Sequence, residues 1–166
     1  MTRRELIGMG SVGVVALAIA GRFALMERPS ATPAGSFPVQ HSDAEWRTLL
    51  SPASYNVLRK GATEPRYSSP LLKEHRPGTF ACAGCSTALF RSQTKYDSQT
   101  GWPSFWEALP KAVTTRDDSS LGMSRTEVLC STCGGHLGHL FEDGPKPTGL
   151  RYCMNGLALT FEPATA

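Results

Sequence analysis

Residues Cys130 to Asn155 read CSTCGGHLGHLFEDGPKPTGLRYCMN and hold three of the chain's five cysteines and two of its four histidines. Cys130 and Cys133 have the spacing of half a metal site. The other half stands upstream as Cys82 and Cys85 in CAGC. Two C-x-x-C pairs supply four thiolates, a set suited to a tetrahedral structural zinc ion. Each pair sits on a tight turn, and the second runs into Gly134-Gly135, whose bare backbone can bend around an ion. The 44 residues between Cys85 and Cys130 suit two hairpin turns clamped together. In this reading one zinc per chain links distant segments and holds a β core shut. The same spacing also suits two redox-active pairs, or two disulfides in an exported protein. His136 and His139 are further possible ligands, but four cysteines leave no need of them.

Working outward, short apolar or β-branched runs alternate with turn residues from Gly78 onward: GTFAC, ALFR, RTEVLC, GLRYCM and LALTFE. This predicts a mostly β fold of antiparallel strands. Twelve prolines and sixteen glycines fit a turn-rich chain. Upstream, Ser42-Asp43-Ala44-Glu45 fits a capping box, followed at helical spacing by Trp46, Leu49 and Leu50. Pro52 opens a second helix, with Tyr55 and Leu58 on its apolar face and Gly61 at its end. Both faces read as core packing.

One cysteine is left over, Cys153. A lone thiol near histidines is a candidate nucleophile, although an isolated cysteine is more often a small buried hydrophobe. Arg151 lies two residues earlier, on the same strand face, where a cation favours thiolate over thiol. Histidine as a residue type titrates near neutrality, so either His136 or His139 could donate a proton. His41 and His75 have no motif around them.

GWPSF (101–105), HLGH (136–139) and DGPKPTGLRYCMN (143–155), in this order and with both C-x-x-C pairs, closely resemble methionine sulfoxide reductase B. The resemblance covers about Ser42 to Pro163. It implies two antiparallel sheets in one compact domain, with short N-terminal helices packed outside and a structural zinc site. It also implies reduction of the R epimer of methionine sulfoxide, mainly within proteins. Cys153 would attack the sulfoxide sulfur and become a sulfenic acid. His136, His139, Asn155 and Arg151 would form the polar side of the pocket, and Trp102 the apolar seat for the substrate methyl group. The sequence departs from the family at two places. Thr100 stands where many relatives carry a resolving cysteine, which implies regeneration by an external thiol donor, thioredoxin-like or other. Gly156 stands where serine is common. Two rival classes are a zinc-ribbon interaction module, which leaves Cys153, HLGH and GWPSF without a role, and a thiol–disulfide oxidoreductase using the C-x-x-C pairs.

The N-terminus carries Arg3-Arg4 before an apolar run from Leu6 to Ala20. This is the length of a signal core and short for a membrane span. The paired arginines resemble a twin-arginine export signal. An ordinary membrane anchor or a general secretory signal fits the apolar run as well, with cleavage after Ala20 or Ala34 as candidate points. Residues 1–27 are read as signal or anchor, 28–41 as a flexible Pro/Ser/Ala/Thr-rich linker, and 42–163 as the reductase domain. The expected setting is the periplasm, with the export machinery as a partner and a monomeric state. Residues 1–29 hold four arginines against two glutamates, leaving 13 basic and 12 acidic groups elsewhere. That balance lacks the clustered Lys/Arg of a nucleic-acid surface.

Overall fold

The structure, a computed structural model, describes residues 37–165. Residues 1–27, read above as signal or anchor and including Arg3 and Arg4, lie outside the described residues, as does the expected linker up to residue 36. The last part of that linker is packed rather than free: the Val39 N–H donates to the Thr132 carbonyl at 2.9 Å. His41 meets the Trp46 ring edge-on at 4.7 Å.

Helix α1 (Asp43–Leu49) begins with the capping box its sequence encodes, Ser42 and Glu45 each satisfying the other's backbone N–H. Its seven residues turn only Trp46 inward; Leu50 tucks in just beyond its end, while Leu49 stays 58% exposed. So short a helix presents one inward position per turn, and Leu49 falls outside it. Helix α2 (Pro52–Lys60) starts on a Ser51 cap with Pro52 in its first turn and ends at Gly61, φ 70°. Tyr55, Val57 and Leu58 are buried along it. Among the described residues no helix is long and apolar enough to cross a membrane.

The rest is β. Strands β1 (Gly78–Cys82), β2 (Ala88–Arg91) and β9 (Leu159–Pro163) form a three-stranded antiparallel sheet in the order β2-β1-β9. The larger sheet contains β3 (Lys95–Tyr96), β4 (Ser104–Phe105), β5 (Val113–Asp118), β6 (Arg125–Cys130), β7 (His136–Phe141) and β8 (Arg151–Met154), in the order β3-β4-β8-β7-β6-β5. All its pairings are antiparallel. The core lies where the sheets meet. Phe80 and Phe90 come from the small sheet and Phe105 from the large one, with Phe90 and Phe105 stacked at 4.3 Å. Leu137, Val128 and Met154 are fully buried beside them. Each such side chain contributes about 1.5–3 kcal/mol by leaving water. The two-sheet, mostly β architecture expected from the sequence is the one observed.

Candidate active site and metal centre

The two C-x-x-C pairs meet in one cluster. Cys82 ends β1 and Cys130 ends β6, each followed by a turn that carries its partner, Cys85 or Cys133. The four sulfurs all lie within 4.8 Å of one another. Cys82 and Cys133 are 3.7 Å apart, and Cys85 and Cys130 are 3.5 Å apart. A tetrahedron of sulfurs around zinc, each bond about 2.3 Å, has edges of about 3.8 Å. The separations therefore fit one ion and far exceed a disulfide bond. Without a cation, hydrogen bonds shared with Cys130 push the Cys82 and Cys133 thiols up, Cys133 to about 12, and draw Cys130 down. Four thiolates this close repel one another strongly, and a divalent cation is the group that stabilises all four together. His136 and His139 are outside this cluster.

Strands β7 and β8 also form one wall of a cleft. In the β7–β8 ladder His139 stands opposite Cys153, so their side chains project from one face. His136, three residues from His139, would fall on the opposite face of a regular strand. A register shift between Val128 and Leu129, opposite β7, absorbs one residue, and the two imidazoles come to 5.4 Å. Gly138 is needed where β7 crosses β8, because a Cβ there would meet the Cys153 carbonyl oxygen and, at 2.9 Å, the Met154 Cα.

Trp102, His139, Cys153 and Asn155 line a cavity of about 120 Å³, together with Thr63, Arg125 and Phe141. Sites that engulf a whole small molecule usually measure about 300–1,000 Å³. This one suits the end of a side chain. Cys153 is partly exposed, with its sulfur 3.8 Å from the Thr100 hydroxyl. The Trp102 indole N–H donates to the Glu64 carbonyl at 3.0 Å.

Each histidine is held by a carboxylate that the sequence reading did not single out. His136 Nδ1 lies 2.7 Å from Glu127 Oε1, and Arg116 binds the same carboxylate. Burial pushes the His136 pKa down, against the opposing pull of Glu127. The ring is therefore neutral at neutral pH, its Nδ1–H donating to Glu127. Its Nε2 lone pair then faces the Asn155 amide nitrogen at 3.5 Å, a tautomer assigned from this network. His139 Nε2 lies 2.9 Å from Asp118. Hydrogen bonds from Ser120 foremost, then His139 and Arg125, hold the Asp118 carboxyl far below the usual carboxylate range. Asp118 is thus a fixed acceptor, and His139 presents it with Nε2–H.

Of the six residues expected around the pocket, four line it. His136 sits behind Asn155 rather than on the surface of the cavity. Arg151 shares a strand with Cys153, but its guanidinium is forked onto Asp143 at 2.7 and 2.8 Å and stacked 4.2 Å over Phe141. The Asp143 hydrogen bond raises its pKa first, with the Cys153 charge a smaller contributor. Glu127 could have been noticed in sequence as a charge inside the strand RTEVLC, since a buried carboxylate demands partners. Asp118 and Glu64 carry no such signal.

A mostly β domain with four clustered thiols spaced to hold a metal ion, and a separate thiol opposite a carboxylate-held histidine, has the parts of a thiol oxidoreductase. A family profile described as the SelR domain matches residues 50–163. The peptide methionine sulfoxide reductase MsrB of Leifsonia xyli subsp. xyli is 52% identical over 131 residues, covering 78% of this chain and 94% of that protein. Its namesake from Bradyrhizobium diazoefficiens is 54% identical over 123 residues, 74% of this chain and 88% of that protein. The Methanosarcina barkeri protein of the same name is 47% identical over 125 residues, 75% and 88% of the two chains. The chain belongs to the SelR-domain family of MsrB peptide methionine sulfoxide reductases.

Proposed function

We propose that this protein reduces the R epimer of methionine sulfoxide in oxidised proteins to methionine. The observation that carries this is the partly exposed thiol of Cys153, apart from the cysteine cluster and opposite His139 in a cavity of about 120 Å³ walled by Trp102. The Cys153 thiolate bonds to the sulfoxide sulfur as the sulfoxide oxygen takes a proton. The S–O bond then breaks, the oxygen passes as hydroxide to the Cys153 sulfur, and the S–S bond breaks, so that the substrate leaves as a thioether and Cys153 is left as a sulfenic acid. His139, which lines the cavity, is the proton donor through Nδ1 when both ring nitrogens carry protons, its Nε2–H staying on Asp118. His136, neutral and turned toward Glu127 and Asn155, orients the pocket instead. Trp102 offers its ring to the S-methyl group and excludes water. Arg151, tied to Asp143, supports the thiolate through its field.

The Thr100 hydroxyl stands beside Cys153, and the other four cysteines are gathered in the clamp. We therefore propose a one-cysteine cycle. An external thiol attacks the sulfenic acid, releasing water and leaving a mixed disulfide; a second thiol then frees Cys153. The clamp holds zinc, which supplies structure and no open coordination position.

The test is turnover of separate R and S epimers of a blocked methionine sulfoxide with a small dithiol, comparing the natural chain with Cys153→Ser. Only the R epimer is expected to react, and only with Cys153 present. After one equivalent of sulfoxide without reductant, thiol counting should show one thiol lost and no internal disulfide. Turnover of the S epimer, or an internal Cys153 disulfide in metal-loaded protein, would contradict the scheme.

We further propose that residues 1–27 direct export to the periplasm, on the strength of Arg3-Arg4 and the run Leu6–Ala20. Residues 28 to about 36 would then tether residues 42–163, which function as a monomer. Changing Arg3 and Arg4 together to Lys should leave the protein in the cytoplasm; continued export would rule out the twin-arginine route.

A further inference from the structure

Between α2 and the first strand the chain runs from Gly61 to Ser69 without regular secondary structure. No ladder of hydrogen bonds sets its position, yet Thr63 from this stretch lines the reactive cavity. Glu64, next to it, is only 4% exposed, and every polar group it has is bonded. Its backbone N–H donates to Asn155 Oδ1 at 3.0 Å. Its backbone carbonyl accepts the Trp102 indole N–H at 3.0 Å. Its carboxylate accepts the N–H groups of Gly156 at 2.6 Å and Leu157 at 3.0 Å.

Those last two donors open the short 3-10 turn Gly156–Ala158, whose capping residue, Asn155, makes no side-chain cap bond. A carboxylate from far along the chain satisfies them instead. Glu64 is therefore fastened by its charge to the residues directly after Asn155. Through its backbone it grips two residues on the walls of the cavity. The Asn155 amide orientation follows: with Oδ1 committed to a donor, Nδ2 must face Leu137 O, at 3.1 Å, and His136 Nε2.

We propose that Glu64 is a positioning residue for the reaction. Its carboxylate fixes the irregular backbone that in turn sets the Trp102 indole and the Asn155 amide relative to Cys153. This rests on the reductase reading above. Gln at this position keeps the size but turns an amide NH₂ toward a backbone N–H, so one of the two anchoring bonds is lost. Asp keeps the charge but is one methylene short of spanning both amides.

The experiment uses full-length, metal-loaded Glu64→Gln and Glu64→Asp proteins. It reads kcat and KM on a blocked methionine (R)-sulfoxide, metal content, melting temperature, and hydrogen exchange of the Trp102 indole N–H. That proton is assigned by comparison with Trp102→Phe. Well below the melting temperature we expect metal retained, indole exchange at least about tenfold faster, and kcat/KM lowered about 10- to 100-fold, mostly in kcat. Turnover equal to that of the natural chain would overturn the proposal. So would lost activity with unchanged indole exchange, which is what a purely stabilising residue would give. If the Gln variant fails to fold, the Asp variant decides on the same readouts. If the natural chain itself reduces neither epimer, the reductase reading fails, and indole exchange alone still decides whether Glu64 holds Trp102.

Discussion

Two sites of this molecule are built around sulfur, and the β6–β7 hairpin contributes to both. Cys130 and Cys133 sit at the turn between β6 and β7; His136 and His139 follow on β7, and His139 stands opposite Cys153 on β8. At the turn, four thiols crowd within 4.8 Å, three of them buried. At the cleft, one partly exposed thiol has a hydroxyl and imidazoles for neighbours and no second sulfur among its hydrogen-bond partners. The difference teaches what decides the use of a cysteine. Thiols that share their protons and face inward form a ligand set for a cation. A thiol set alone beside a proton donor is left free to attack. Burial and company, more than spacing, separate the two roles.

The largest effect should come from breaking the clamp. A structural zinc is worth about 10–16 kcal/mol of apparent binding free energy in small domains, against about 5–15 kcal/mol for the whole stability of a domain. Cys130→Ser, or removal of the metal by a chelator, should therefore abolish the cooperative thermal transition and the activity together. Cys153→Ser should abolish activity alone, with metal content and melting temperature close to those of the natural chain. Circular dichroism melts with metal analysis on the two variants decide it. A Cys130→Ser protein that stayed folded without metal but inactive would instead make the clamp a redox device.

Parts of this contrast were legible in the sequence. The capping box, the Pro52 and Gly61 punctuation and the strands around Phe80, Leu89, Val128 and Cys153 all follow local rules of pattern and conformation. Strands β3 and β4, two residues each, are too short for any periodicity to register. Strand β5, VTTRDD, has no buried position and so no alternation to read. At the site, the cysteines and histidines are visible because their chemistry is written in residue type and spacing. The carboxylates are not. Glu127 lies nine positions from His136, Asp118 is 21 from His139, and Glu64 is 92 from Gly156. Only the register of β5, β6 and β7 and the path of an irregular segment bring them together.

A middle-sized effect should follow at Gly156, where the cleft meets Glu64. A Cβ there would collide with the Ser69 hydroxyl and stand 2.6 Å from the Ser69 Cβ. Ser69 is buried and caps the turn Pro70–Lys73 through the Leu71 N–H at 3.2 Å. This chain therefore pairs a glycine with a serine pressed against it. Gly156→Ser should cost about 1–3 kcal/mol by overpacking. Adding Ser69→Gly should recover most of that loss, since glycine costs a cap only a few tenths of a kcal/mol. Denaturant unfolding of the two single variants and the double would reveal the coupling; additive effects would mean that the contact relaxes without strain.

The finest test is pH, read at His136. Burial lowers the His136 pKa below the ordinary imidazole value of about 6.5, with His139 and Arg116 pushing the same way and Glu127 opposing. The unfolded chain takes up a proton there near pH 6.5, and the folded chain resists it. Below that pH the unfolded state binds more protons, so stability falls as pH drops from 6.5 toward the lower folded value and is fully present above 6.5. Melting temperature should therefore decline between pH 7 and pH 5.5, and His136→Gln should flatten that part of the curve. A decline of equal slope in the variant would mean that protonation acts elsewhere, and that Glu127 holds His136 well enough to keep its charged form in the folded protein.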